Sequence, residues 1–139
     1  MDGKLIFVPV LLQVLLTLSL YLALNVAKSR AARRGQVDEA RRALHEDAWP
    51  DHVRQINNNI RNQFEVPVLF YVLVFMLWAL QAAGPMAQGA AWLFVLSRVW
   101  HAVVHTGSNR VPLRRRIFMF GCGMVFVLAA LAGWALLAR

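Results

Sequence analysis

The sequence predicts an all-α fold, an integral membrane bundle of four helices running up and down, and three observations predict it. Hydrophobic side chains make up 59% of the 139 residues against 16% charged, with a mean hydropathy of +0.50. The apolar residues come in blocks rather than in an amphipathic rhythm, as in a polytopic membrane protein. Thirteen of the fifteen Lys and Arg lie in two patches, 28–61 and 98–116, beside or between those blocks. That placement is expected of loops kept in the cytoplasm. At this length the chain is a single domain, with spans expected at about 5–27, 60–82, 86–106 and 113–138 and a basic loop over 28–50.

The first block, Leu5 to Ala27, holds 23 residues, enough at about 1.5 Å per residue to cross roughly 30 Å of hydrocarbon. It is longer than the apolar core of a secretory signal, and Lys4, its single early base, is offset by Asp2. Pro9 predicts a mild kink near the outer end. Gln13 is expected to pack inside the bundle, since a buried amide can bond across helices.

Residues 28–50, KSRAARRGQVDEARRALHEDAWP, connect the first two spans and are divided by Gly35. Val37, Ala40, Leu44 and Trp49 recur at near-helical spacing, which predicts a short interfacial helix there, with His45 on its surface. Pro50 and Asp51 mark the start of the second helix, where a missing N–H costs nothing. One helix from about 51 to 82 would be nearly 48 Å long, so its first four or five turns project beyond the hydrocarbon. Pro67 then lies in a helix interior and predicts a kink or an opened carbonyl.

The entry to this second span is the most polar stretch near any span, RQINNNIRNQFEVP at 54–67. On a continuous helix Arg54, Asn58, Arg61 and Glu65 fall on one face at steps of four, three and four, with Asn62 beside them. Only Val66 separates Glu65 from Pro67 and the apolar run, so its carboxylate is expected at the low-dielectric edge with a cation as partner. Arg61, one turn earlier, and Arg98, from the next span, are the available cations.

Ala82-Ala83-Gly84-Pro85 closes the second span, and the short uncharged turn to Gly89 makes the second and third spans antiparallel neighbours. The third span carries Arg98, His101 and His105 at spacings of three and four, on one face, with Asn109 four residues further. A second basic cluster, GSNRVPLRRR, leads into the fourth block, Ile117 to Ala138, in which Gly121, Gly123 and Gly133 allow close helix approach. Alternating direction then places both basic loops in the cytoplasm and both termini, with the 83–89 turn, on the opposite side.

Three polar faces therefore converge at the cytoplasmic end: Arg54/Asn58/Arg61/Asn62/Glu65, Arg98/His101/His105/Asn109, and Arg110/Arg114 with Phe118. The surplus of guanidinium groups suits a small polyanion such as a peptide with free carboxylates. An arginine beside a bound thiol stabilises its thiolate, which makes conjugation of a thiol to an apolar electrophile chemically reasonable. The structural alternative is that Arg61–Glu65 and Arg98–Glu65 are ion pairs holding the bundle together. So many polar groups fill a single bundle poorly, and their faces are expected to meet another subunit.

Other chemistries lack support in the sequence. The net charge of +8 and pI near 11.3 would suit nucleic acid, but the bases flank membrane spans, and nucleic acid is not an expected partner. His101 and His105 have the i, i+4 spacing of a metal pair, yet the third span has no Asp or Glu, and no metal site is expected. There is no phosphate loop, GxSxG elbow or CxxC motif. The single cysteine, Cys122, lies between two glycines in an apolar run and is expected to pack. Transport has little support without an internal repeat.

RNQFEVPVLFY at 61–71 and SRVWHAVVHTGSNRVPLRRRIFMFG at 97–121 resemble the MAPEG family, the membrane-associated proteins in eicosanoid and glutathione metabolism, and in particular its small bacterial members. The similarity extends over the whole chain, from the four spans and basic first loop to three motifs. These are Asn62-x-x-Glu65 followed by Pro67, Arg98-x-x-His101, and Asn109-Arg110-x-Pro112-x-Arg114. The resemblance implies a homotrimer in the bacterial inner membrane, with sites between subunits that take glutathione as co-substrate and a lipophilic small molecule from the lipid side. It makes Arg61, Asn62, Glu65 and Arg98 substrate ligands and Arg110 and Arg114 the catalytic pair, with Arg114 on the thiol. His101, His105, Arg54 and Asn58 complete the predicted binding set. His105 and Phe118 stand where the family's mammalian enzymes have tyrosines, and Phe118 cannot donate a hydrogen bond. The competing expectation is a non-catalytic scaffold or lipid-binding trimer whose basic patches hold anionic headgroups.

Overall fold

A computed structural model of the chain describes residues 3–138, so Asp2, expected to offset Lys4, and the extreme termini lie outside the described residues. A turn of 3₁₀ helix, Gly3–Ile6, leads into α1, Phe7–Arg33. Then come α2 (Asp51–Gln63), α3 (Val66–Ala79), α4 (Pro85–Thr106) and α5 (Val111–Leu137). The fold is all-α, and α1, the α2–α3 pair, α4 and α5 give the four expected strokes of the bundle. Gly3–Arg33, Asp51–Ala79 and Val111–Leu137 are long and apolar enough to cross a membrane. At 22 residues α4 is also long enough, about 33 Å, but Gln88, Ser97, Arg98, His101 and His105 dilute its hydropathy.

That dilution matches its position. Half of α4 is buried, 11 of its 22 residues, against four of 27 in α1 and five of 27 in α5. The helix most wrapped by its neighbours carries Ser97, Arg98, His101 and His105 buried, whereas α1 and α5 confine their charges to residues 28–33 and 114–116 at one end and are mostly apolar elsewhere, which is the division a bilayer imposes. Phe70 of α3 stacks on Phe94 of α4 at 4.5 Å between centroids. Around them Ile6, Val74, Leu77, Ala91, Val95, Leu128 and Ala132 complete the core. Small alanines and Gly121 let the helices approach. A Cβ on Gly121 would lie 2.9 Å from Ser97 Oγ of α4, whereas Gly123 and Gly133 face open space, so of the three glycines only Gly121 makes the expected close approach within the chain.

Several boundaries depart from expectation. The first helix continues to Arg33, past the apolar block, because Lys28 to Arg33 are adequate helix formers. It ends on Gly35, whose φ of +64° allows Gly35 N–H to reach Ala32 O and Gln36 N–H to reach Ala31 O, a Schellman cap. Pro9 lies in the first turn of α1, where its missing N–H belongs to an unpaired group in any case. No interfacial α-helix forms over 37–49. Instead Arg41 bonds Asp47 at 2.8 Å and Arg42 pairs with Glu39, and a 3₁₀ turn, Glu46–Ala48, precedes α2. His45 is exposed, as expected.

The second long helix is not continuous. It breaks at Phe64 and Glu65, the latter with φ −100° and ψ −106°, and Pro67 falls in the first turn of α3, where its ring needs no N–H partner. The kink expected at Pro67 is thus a full interruption placed just before it. Helix α3 ends at Ala79, earlier than expected, and Pro85 opens α4 instead of closing the turn. The second basic cluster belongs mostly to the first turns of α5.

Candidate functional site

The apolar residues of α2 determine which way its polar residues point. Val53 and Ile60 are buried, and on their side of the helix Asn59 and Gln63 are buried too. Gln13 of α1 donates to Gln63 Oε1 at 2.7 Å, Gln63 donates to Asn59 Oδ1 at 3.0 Å, and Asn59 reaches Ala102 O of α4 at 3.4 Å. This chain of amides ties three helices together and bears out the expected burial of Gln13. Asn59 and Gln63 were not among the predicted site residues. Their signal was the Val53/Ile60 periodicity, which they share and the charged face does not.

The charged face of α2 therefore points outward, and this corrects the predicted ion pairs. Arg61 pairs with Glu46 of the connecting loop, not with Glu65. Among the described residues Glu65 makes no ion pair with Arg61 or Arg98, and its side chain is exposed in the single chain. The helix break is the reason, because a residue beyond Gln63 no longer lies one turn above Arg61. Arg54 bonds Asp51 at 3.3 Å and lines a different cavity with Lys28, Arg42 and Trp49, and Asn58 is exposed. Neither joins the other predicted residues.

What the break does create is a carbonyl end pointing at α4. Arg98, 1% exposed, donates from Nη2 to Asn62 O at 3.3 Å. A guanidinium at the C-terminal end of α2 satisfies an otherwise unpaired carbonyl and complements the helix dipole. The Arg98 guanidinium carbon lies 6.0 Å from the centre of the Phe118 ring of α5, and the His101 ring centre is also 6.0 Å from it. His101 and His105 meet edge to face at 5.5 Å. No group of three or more His, Cys, Asp or Glu suited to a metal occurs among the described residues.

In front of this layer is a cavity of about 340 Å³ lined by Asn62, Glu65, His101, Arg114, Arg115, Phe118 and Val111. It brings together four of the predicted residues, Asn62, Glu65, His101 and Arg114, from α2, the break, α4 and α5. Arg114 is half-buried, and its Nη1 donates to Asn109 Oδ1 at 2.5 Å, so its charge is held in place without being neutralised. Arg115 was not predicted; it follows Arg114 on the helix turn whose Val111 and Phe118 also line the cavity. Arg98 and His105 form its buried backing, and Arg110 is exposed at the start of α5.

The donor set fits a small anion. Two guanidinium groups, an amide and an imidazole face one carboxylate, and Arg98 Nε and His101 Nδ1 are buried without a hydrogen-bond partner among the described residues. The volume is at the lower end of the roughly 300–1,000 Å³ typical of ligand pockets. Residues 6–134 match the model of the MAPEG family. No curated protein and no solved structure matches the chain.

Proposed function

The chain belongs to the MAPEG family of membrane proteins, and from that premise we propose that it is a glutathione-dependent transferase or peroxidase acting on lipophilic electrophiles. The observation that carries the reading is the cavity at the α2–α3 break, where Arg114 and Arg115 face Glu65 beside Asn62 and His101. Glu65 is the only Asp or Glu in the chain after Asp51. It is the group suited to an ammonium, as the guanidinium groups are to the peptide carboxylates. Arg114, fixed by Asn109, is assigned to the thiol, since a nearby cation lowers the cost of forming a thiolate. The S–H bond breaks, its proton leaves to solvent, and the sulfur forms a bond to the electrophilic carbon of the second substrate as a leaving group departs.

The cavity opens to the outside of the single chain. We take its open side to be closed by a second copy in a homotrimer, embedded in a bacterial inner membrane with the basic loops cytoplasmic. The test is titration of glutathione into detergent-solubilised protein, with thiolate absorbance followed in parallel. Saturable binding is expected, and Arg114→Ala should weaken it by about 1.5–3 kcal/mol, roughly ten- to a hundredfold in Kd, and abolish the thiolate signal. Absence of saturable binding by the wild type would overturn the catalytic reading. One observation favours the scaffold alternative. Phe118 stands where the family resemblance puts a tyrosine, and its ring supplies no hydrogen bond.

A further inference from the structure

The groove between α1 and α2 carries chemistry that the thiol-peptide site does not use. Leu22, Val26, Arg30 and Arg34 recur every four residues and line it together, with Ala23 and Ala27 alongside. Over roughly 18 Å of helix axis the stripe changes from exposed apolar side chains to exposed cations. Helix α2 supplies Ile56 and His52, also four apart, and the groove encloses about 540 Å³ without a single carboxylate in its lining.

The unpaired state of these cations is the second observation. Arg41, Arg42, Arg54 and Arg61 each pair with an acid of the same loop region. Among the described residues Arg30 and Arg34 make no ion pair and no side-chain hydrogen bond, although acids of that loop are close in sequence. Lys28 and Arg33 of the same segment are likewise without an ion pair among the described residues, and of these four bases only Arg30 and Arg34 line the groove. They lie just where α1 passes from its apolar block into the basic segment, the level of a headgroup phosphate.

We infer that the α1–α2 groove is a binding site for one anionic phospholipid, its acyl chain along Leu22, Val26 and Ile56 and its phosphate between Arg30, Arg34 and the His52 ring. A zwitterionic lipid would bring its own ammonium against two guanidinium groups with no acid to receive it. The order of chemistry along the stripe, hydrocarbon first and cations last, is that of a lipid entering headgroup-outward, and not that of a soluble phosphate. The inference is independent of the thiol chemistry.

The test is native mass spectrometry of delipidated protein in detergent, titrated with phosphatidylglycerol or phosphatidylcholine. One phosphatidylglycerol per chain is expected to saturate, with at least a tenfold preference over phosphatidylcholine. Arg30→Gln/Arg34→Gln should erase the preference, and the charge-matched Arg42→Gln/Arg116→Gln should keep it. Arg34→Gln alone, beyond the last helical residue of α1, should give a partial loss, which keeps the test available if the double variant does not fold. Equal loss in both double variants would reduce the effect to diffuse charge and overturn the site. So would the absence of preference, full competition by glycerol 3-phosphate, or a changed oligomer mass with lipid retention unaltered.

Discussion

Gly121 is the position where the bundle has least room. An alanine there would bring its Cβ to 2.9 Å from Ser97 Oγ, and Ser97 is itself held by a 2.6 Å bond to Phe94 O, so the hydroxyl cannot swing away freely. Gly121→Ala is expected to cost about 1–3 kcal/mol, the range for overpacking, whereas Gly123→Ala, facing open space, should stay within about 0.5 kcal/mol. Unfolding of both variants in detergent checks the contrast. If Gly123→Ala proves the more harmful, that face is packed against another chain. The sequence displayed all three glycines alike, and only the rotation of α5 against α4 distinguishes them.

The Gln13–Gln63 bond is the other test at this scale. Gln13 was legible as a core residue because it interrupts an apolar run. Gln63 was hidden among polar neighbours, and the charged residues beside it drew attention to the wrong face. Gln63→Leu should cost about 1–3 kcal/mol, because it leaves the Gln13 amide buried without a partner. Gln13→Leu/Gln63→Leu should recover part of that loss, since removing both partners is cheaper than removing one. A double variant less stable than the sum of the singles would show that the pair is not coupled in this way.

Among the elements, the interruption between α2 and α3 decides the most. Pro67 has no N–H to offer Gln63 O, and its ring would clash with that carbonyl in a continuous helix. The break lets Asn62 O meet Arg98 and turns Glu65 toward Arg114's cavity. In Pro67→Ala both obstacles vanish, and the helix is expected to run through, lifting Glu65 away from that cavity and returning it to the Arg61 face. Hydrogen exchange at residues 64–68 should then slow, and glutathione affinity should fall with the fold intact. Unchanged protection there would mean that tertiary contacts, not proline, hold the break open. The sequence located this feature to within a few residues. It could not separate a kink from a break, because the difference lies in what Arg98 gains by capping the open end. The loop over 37–49 departs from its helical spacing for a related reason: its apolar residues compete there with the Arg41–Asp47 and Arg61–Glu46 ion pairs, which hold the segment in turns.

At the scale of the whole molecule, the four strokes were readable because a bilayer demands long apolar stretches whatever their neighbours are. The pairing of faces was not, because lipid and a second protein surface ask for the same side chains, and exposed residues such as Leu22, Phe126 and Trp134 suit either. Charge predicts the orientation. All Lys and Arg except Lys4 and Arg139 belong to the end of the bundle that holds the 34–50 loop and the α4–α5 turn, and holding that end in the cytoplasm avoids moving them across the membrane. In a Cys122→Ser background, a membrane-impermeant maleimide applied to intact cells should label Gly84→Cys, at the α3–α4 turn, and spare Ser108→Cys, at the α4–α5 turn, until the cells are opened. Gly84 has open space around it and an ordinary φ of −73°, so the cysteine can be introduced without strain. Labelling of Ser108→Cys from outside would invert the bundle. The cationic ends of the α1–α2 groove and of the Arg114 cavity would then face away from the cytoplasm, and a cytoplasmic thiol peptide would have no route to Arg114.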